Sequence, residues 1–155
     1  MIPRVSIIED DLSGPEVRAL LEEHFAGMLA NSPEDSCHFL DFEGLKGPGV
    51  TFWSVWDDAE LMGCGALKEI DSRHGEVKSM RTHSAQLRKG AAAAMLEHII
   101  ATAKARGYHR LSLETGSGPA FDAAHALYLR YGFTYCAPFA DYKEDPFSRF
   151  MMLAL

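Results

Sequence analysis

A chain of 155 residues, 47% of them hydrophobic, is long enough to bury a core and suits a single domain spanning 1–155. Its 22 acidic residues outnumber 15 basic ones, for a formal charge of -7, and the basic residues are scattered; nucleic acid is therefore not expected as a partner. No apolar run approaches the ~20 residues of a bilayer span, and Cys37, Cys64 and Cys136 are odd in number and far apart, so the expectation is a soluble cytoplasmic protein with reduced thiols, without membrane or disulfide frame.

Taken in order, Ile2 to Ile8 alternate around Arg4 and Ser6 and predict a first strand, ended by Glu9-Asp10-Asp11. Asp11 or Ser13 is placed to cap a helix with Pro15 in its first turn and Val17, Leu20, Leu21, His24, Phe25, Met28 and Leu29 along one apolar face. Asn31-Ser32-Pro33-Glu34 breaks that helix, and a short helix or irregular segment follows to Leu45. Its mixture of Cys37, His38, Phe39, Asp41, Phe42 and Glu43 suits either a packed connection or a lid over a pocket.

Gly47-Pro48-Gly49 is a turn, and Val50 to Trp56 is strongly strand-forming. Leu61 to Ile70 returns as its partner, with Gly63 and Gly65 as bulge or close-approach positions. Glu76 to Thr82 completes an antiparallel meander. After the basic, Gly-containing loop Leu87 to Ala92, the period changes: Ala92, Met95, Leu96, Ile99, Ile100 and Ala103 mark a helix that Gly107 can stop. His109 to Glu114 is a fifth strand, parallel to the fourth because a helix crosses over between them. A helix from Ala120 to Tyr131 ends at Gly132, and Phe133 to Cys136 and Arg149 to Leu155 close the chain as strands.

The junction of fourth strand, loop and helix carries chemistry. The first amides of a helix have no helical partner and its dipole is positive there, so small residues at 90 to 94 admit an anion to the backbone. An ordinary tight connection is the competing reading. The loop has neither the P-loop pattern nor three dinucleotide-binding glycines, which argues against nucleotide hydrolysis and hydride transfer. The seven histidines form no close pair with Cys or carboxylate at ligand spacing, so no metal is expected.

The strand end Met80-Arg81-Thr82, the loop Leu87-Arg88-Lys89-Gly90-Ala91-Ala92 and the segment Ala124-His125-Ala126-Leu127-Tyr128-Leu129-Arg130-Tyr131-Gly132-Phe133 occur in that order. In this the chain resembles the GNAT superfamily of N-acetyltransferases over essentially its whole length, and looks like a bacterial subgroup of uncharacterised members. The resemblance implies an α/β fold of the mixed-sheet α+β kind: about seven strands, mostly antiparallel, with strands four and five parallel and splayed, flanked by about four helices. It implies acetyl-CoA as co-substrate, with the pantetheine arm on the backbone of Met80 and Thr82 and the pyrophosphate on Leu87, Arg88, Lys89, Gly90, Ala91 and Ala92. An amide at a fourth-strand bulge would face the thioester carbonyl. Two departures stand out: Leu87, where Gln or Arg is usual, and Phe121, where many members have Asn.

By the same resemblance Tyr128 is the catalytic acid for the departing thiolate and Glu76 the base, with Glu69 or water as alternatives. Tyr128 also suits a core position, and each glutamate also suits a solvated turn. The implied reaction is transfer of acetyl to a primary amine of a small molecule or peptide by direct attack in a ternary complex, not through Cys64 or Cys136. Two other classes remain open. One is a non-catalytic acyl-CoA binding or sensing module; the other is an interaction domain that forms a homodimer through an edge strand carrying Met151, Met152 and Leu153.

Overall fold

A computed structural model of the chain describes residues 5–33 and 39–155. Ile2, Pro3 and Arg4 of the expected first strand, and Cys37 and His38 of the expected connection, lie outside the described residues. The strands are β1 (Val5–Glu9), β2 (Val50–Asp57), β3 (Glu60–Asp71), β4 (His74–Thr82), β5 (Arg110–Thr115), β6 (Thr134–Cys136) and β7 (Arg149–Ala154). The helices are α1 (Pro15–Asn31), α2 (Phe42–Leu45), α3 (Ala91–Ala105) and α4 (Asp122–Arg130), with short 3-10 turns at Ser84–Gln86 and Pro119–Phe121. The expected last helix begins as a 3-10 turn at Pro119–Phe121 and becomes regular from Asp122.

One seven-stranded sheet has the order β1-β2-β3-β4-β5-β7-β6, with the expected meander of β2, β3 and β4 and the expected parallel neighbour β5. All its pairs are antiparallel except β4–β5. The last strand is not at an edge: β7 lies between β5 and β6, so the homodimer through Met151 to Leu153 at an edge is corrected. Chain order suggests an outermost position, but the long loop after β6 folds the chain back into the gap beside β5, where Met151 is fully buried.

Strand alternation gives the sheet two apolar faces. On one, Met95, Leu96 and Ile99 of α3 are sealed against Val55, Leu67, Val77, Leu111 and Met151, with Tyr128 and Phe133 from the end of α4. Each such aliphatic side chain contributes about 1.5–3 kcal/mol by leaving water. On the other, Val17, Leu20 and Leu21 of α1 and Leu45 of α2 cover Phe52, Leu61, Cys64 and Ala66. Gly65 is required by the first face, since a Cβ there would lie 2.6 Å from Met95 Cγ.

The cap of α1 differs from expectation. Gly14 is the N-cap and no side chain caps the helix, while Asp11 Oδ1 instead accepts from the Ser13 amide at 3.0 Å and its hydroxyl at 2.6 Å. Two residues apart, they close a local turn before the helix begins.

Candidate active site

β4 and β5 pair over three positions, His74 with Arg110, Gly75 with Leu111 and Glu76 with Ser112, and then diverge. His74 Nε2 lies 2.6 Å from Ser112 Oγ at this junction. Beyond it the facing edges of β4 and β5 have no strand partner, and a wedge opens between them.

A bulge shapes the β4 wall. Ala66 faces Lys78 and Cys64 faces Arg81, so two steps along β3 match three along β4. Ser79 absorbs the extra residue with φ 55°, a left-handed conformation rare outside glycine. Its carbonyl accepts from the Cys64 thiol at 3.3 Å. The strands approach so closely here that a Cβ at Gly63 would sit 2.6 Å from the Arg81 carbonyl oxygen. The bulge also breaks the alternation expected along β4: Glu76, Lys78 and Arg81 now share a face, and Met80 turns to the other, against Met95.

The loop from Leu87 to Gly90 opens onto the wedge. Arg88 at φ 64° and Gly90 at φ 85° bend the chain so that successive amides converge, and no side chain caps α3. The amides of Ala91, Ala92 and Ala93 therefore lack intrahelical partners. Lys89 Nζ donates to Gln86 Oε1 at 3.1 Å, and Arg88 borders the wedge. The exposed Leu87 side chain contributes no polar group.

Two cavities meet in the wedge. The larger, about 740 Å³, is lined by Arg88, Gly90, Ala91, Ala92 and Ala93 along with Met80, Arg81 and Thr82. The smaller, about 180 Å³, lies between β4 and β5 and is lined by His24, Met28, Phe39, Ser79, Arg81, Glu114 and Phe121 among others. Met80, Arg81, Ala120, Ala124 and Tyr128 border both. The wedge is thus a passage, and Tyr128 stands where its halves join.

Tyr128 is 7% exposed and its ring lies 5.7 Å from Phe133. Burial pushes its phenol up to about 12, so it is protonated across the physiological range. Burial likewise pushes the Cys64 thiol up to about 12, which removes the thiolate a covalent route needs.

The candidate base is less exposed to the passage than the sequence suggests. Glu76 is 2% exposed; its Oε2 accepts from the Tyr142 hydroxyl at 2.5 Å and lies 3.3 Å from Lys78 Nζ. Lys78 Nζ also donates to the Tyr142 hydroxyl at 2.8 Å. Burial and the Glu76 charge hold the Tyr142 phenol far above its ordinary range. Glu76 and Glu69 line a different hollow, with Ala140 to Asp145, rather than the passage beside Tyr128. The carboxylate that lines the smaller cavity is Glu114, on the diverging part of β5. Its signal in the sequence is a polar residue alternating with Leu111 and Leu113 in a strand beside the wedge.

His24, expected on the apolar face of α1, is nearly buried, at 6% exposure. Its Nδ1 has no hydrogen-bond partner among the described residues, and the same holds for Ser79 Oγ. Burial, with a smaller contribution from the nearby Arg81 charge, lowers His24 to about 4, so it is neutral at pH 7. Among the described residues no group of histidine, cysteine and carboxylate side chains is arranged to hold a metal, and no helix is long and apolar enough to cross a membrane.

The acetyltransferase (GNAT) family model matches residues 15–133. YsnE of Bacillus subtilis, named as an uncharacterized N-acetyltransferase, is 58% identical over 142 residues, covering 92% of this chain and 94% of that one. A protein described as an acyl-CoA N-acyltransferase from Klebsiella pneumoniae superposes with a TM-score of 0.79 at 27% identity, covering 98% of each chain. A Salmonella typhimurium protein solved with acetyl-CoA has the same fold, with a TM-score of 0.70 at 19% identity over 97% of this chain and 93% of that one. Match, relative and open wedge agree: the chain belongs to the GNAT family of acetyltransferases.

Proposed function

We propose that this protein transfers the acetyl group of acetyl-CoA to a primary amine of a small molecule or peptide by direct attack in a ternary complex. The observation that carries this reading is the wedge, with uncapped amides beside its larger cavity, Arg81 and Glu114 in the smaller one and Tyr128 bordering both. The solved Salmonella typhimurium relative with acetyl-CoA supports the choice of donor.

The residues present fit that co-substrate. The amides of Ala91 to Ala93, with those of Arg88 to Gly90, would hold the pyrophosphate, and Arg88 would add charge. The edge of β4 at Met80 and Thr82, unpaired by β5, would take the amides of the pantetheine arm as a sheet takes an added strand. A bulge amide would stabilise negative charge on the thioester oxygen.

In the reaction the amine nitrogen bonds to the thioester carbon, and the carbon–sulfur bond breaks. The nitrogen gives up its proton, and the leaving sulfur receives one from Tyr128. An alkylammonium has a pKa near ~10, so an acceptor for its proton must be reachable. Glu114, in the passage, takes this role in our reading; Glu76, locked to Lys78 and Tyr142, holds the loop before β7 in place.

Release of free CoA on adding a panel of primary amines tests the transfer; CoA binding without release for any amine would sink it. Glu114→Gln and Glu76→Gln then separate the carboxylates. The first is expected to lower kcat by about 10²-fold or more and abolish the acidic limb of the pH–rate profile. The second is expected to leave that limb in place and lower the melting temperature. The opposite pattern returns the base to Glu76.

A further inference from the structure

The smaller cavity has walls of opposite polarity. On one, Arg81 reaches from β4 across to α1, where its guanidinium lies against Gly27: a Cβ at that position would be 3.3 Å from Nη1 and 3.5 Å from Nη2. A glycine inside a helix costs about 1 kcal/mol relative to alanine, and here it makes room for this cation. One helical turn earlier, the His24 ring borders the same cavity, its Nδ1 sealed inside the protein with no partner among the described residues. The ion pair between Arg81 and Glu23 is long, 3.5 Å, and partly open to solvent, so the guanidinium keeps donors to spare. On the other wall stands Glu114 of β5. Lys78 also borders the cavity, with its ammonium tied to Tyr142 and Glu76.

The loosely paired guanidinium and the His24 ring belong to one wall, and the carboxylate belongs to the facing one. A guest matches both walls if it carries an anion at one end and an amine at the other.

We propose that the acceptor is an amine with a carboxylate close to its nitrogen, an amino acid or its chemical equivalent, and that Arg81 and His24 hold that carboxylate. The inference rests on the transfer reading above and narrows its acceptor class. The Arg81 fork donates to that carboxylate, and the His24 ring bordering the cavity packs beside it. The amine is left facing Glu114 and the junction with the donor half. Phe39, Met28 and Phe121 line the same cavity and suit an apolar side chain.

The test uses matched pairs with acetyl-CoA and the full chain: leucine against isoamylamine, phenylalanine against phenethylamine, methionine against its decarboxylated amine. The expected result is kcat/KM at least about 30-fold higher for the carboxylated member of a pair, as charge-assisted hydrogen bonds allow. Arg81→Gln and His24→Leu should each drive that ratio towards one, chiefly through KM. His24→Leu should also raise the melting temperature, because it removes the unpaired buried nitrogen, so lost discrimination cannot be blamed on unfolding.

Equal use of both members in every pair overturns the inference while the transfer reading stands. Calorimetric titration of the CoA-bound protein with the same compounds covers the remaining case. Binding of the carboxylated members alone, without turnover, supports the acceptor class and defeats the transfer reading; binding of neither member, without turnover, overturns both.

Discussion

The two halves of the wedge are built from different materials. The donor half is made largely of main chain: the amides after Leu87, the left-handed turns at Arg88 and Gly90, and the unpaired edge of β4. The acceptor half is made of side chains, with His24 and Met28 from α1, Arg81 from β4, Glu114 from β5 and Phe121 from the turn before α4. A grip made of backbone depends on conformation and tolerates many sequences. A pocket made of side chains drawn from distant elements changes with each substitution.

This contrast can be broken at the point where the halves meet. Tyr128→Phe removes one hydroxyl and keeps the ring against Phe133; turnover should fall about 10²- to 10⁴-fold while CoA affinity is held, as measured by steady-state kinetics and titration. Near-normal turnover would remove Tyr128 as the proton donor.

The acceptor wall should show itself in acid. His24 binds its proton at about 4 in the folded chain against 6.5 for the free side chain, so between these values the unfolded chain takes up a proton that the folded one refuses. Stability is full above about pH 6.5, falls by ~3 kcal/mol as pH drops through that window, and loses nothing further from this group below it. Denaturant melts of wild type and His24→Leu across the window should diverge by that amount; parallel curves would show that His24 titrates normally.

The donor half should respond to conformation more than to chemistry. Gly90→Val forces a branched side chain to φ 85°, although a Cβ there would meet nothing within 4 Å. A strain of about 1–3 kcal/mol should raise the KM for acetyl-CoA roughly 10-fold with kcat nearly kept. The smallest effect belongs to Leu87→Ala. Its exposed side chain should leave stability within about 0.5 kcal/mol and the acetyl-CoA KM almost unmoved, in keeping with a grip that uses amides.

The same contrast explains which features are legible in the sequence. The parallel pairing of β4 and β5 and the anion-ready start of α3 follow from local signals, a change of period at Gly90 and a helix joining two strands, so the residues alone announce both. The bulge at Ser79 has no signal in its own strand, because it is made by pairing with β3; only Gly63 and Gly65 opposite mark the place as one of bulge or close approach. Nor has the burial of Glu76, whose partner Tyr142 comes 66 residues later in the chain. His24 resembles any polar residue on an apolar helix face until Arg81 and Gly27 are placed beside it. The strand β7 is evident from its own composition, but its place in the sheet is not, since lateral order depends on how a long loop returns.

The short ladder between β4 and β5 also acts as a depth gauge. Three rungs, ending at Glu76 and Ser112, close the slot, and in the proposed reading they set the floor at which a linear co-substrate would stop. Adding or removing one rung would move that floor by about 3.3 Å, the rise of one strand residue. That distance rivals the ~3–3.5 Å separation of reacting atoms poised for attack, so in the proposed transfer the end of the ladder would decide whether thioester and nitrogen come face to face or pass each other by.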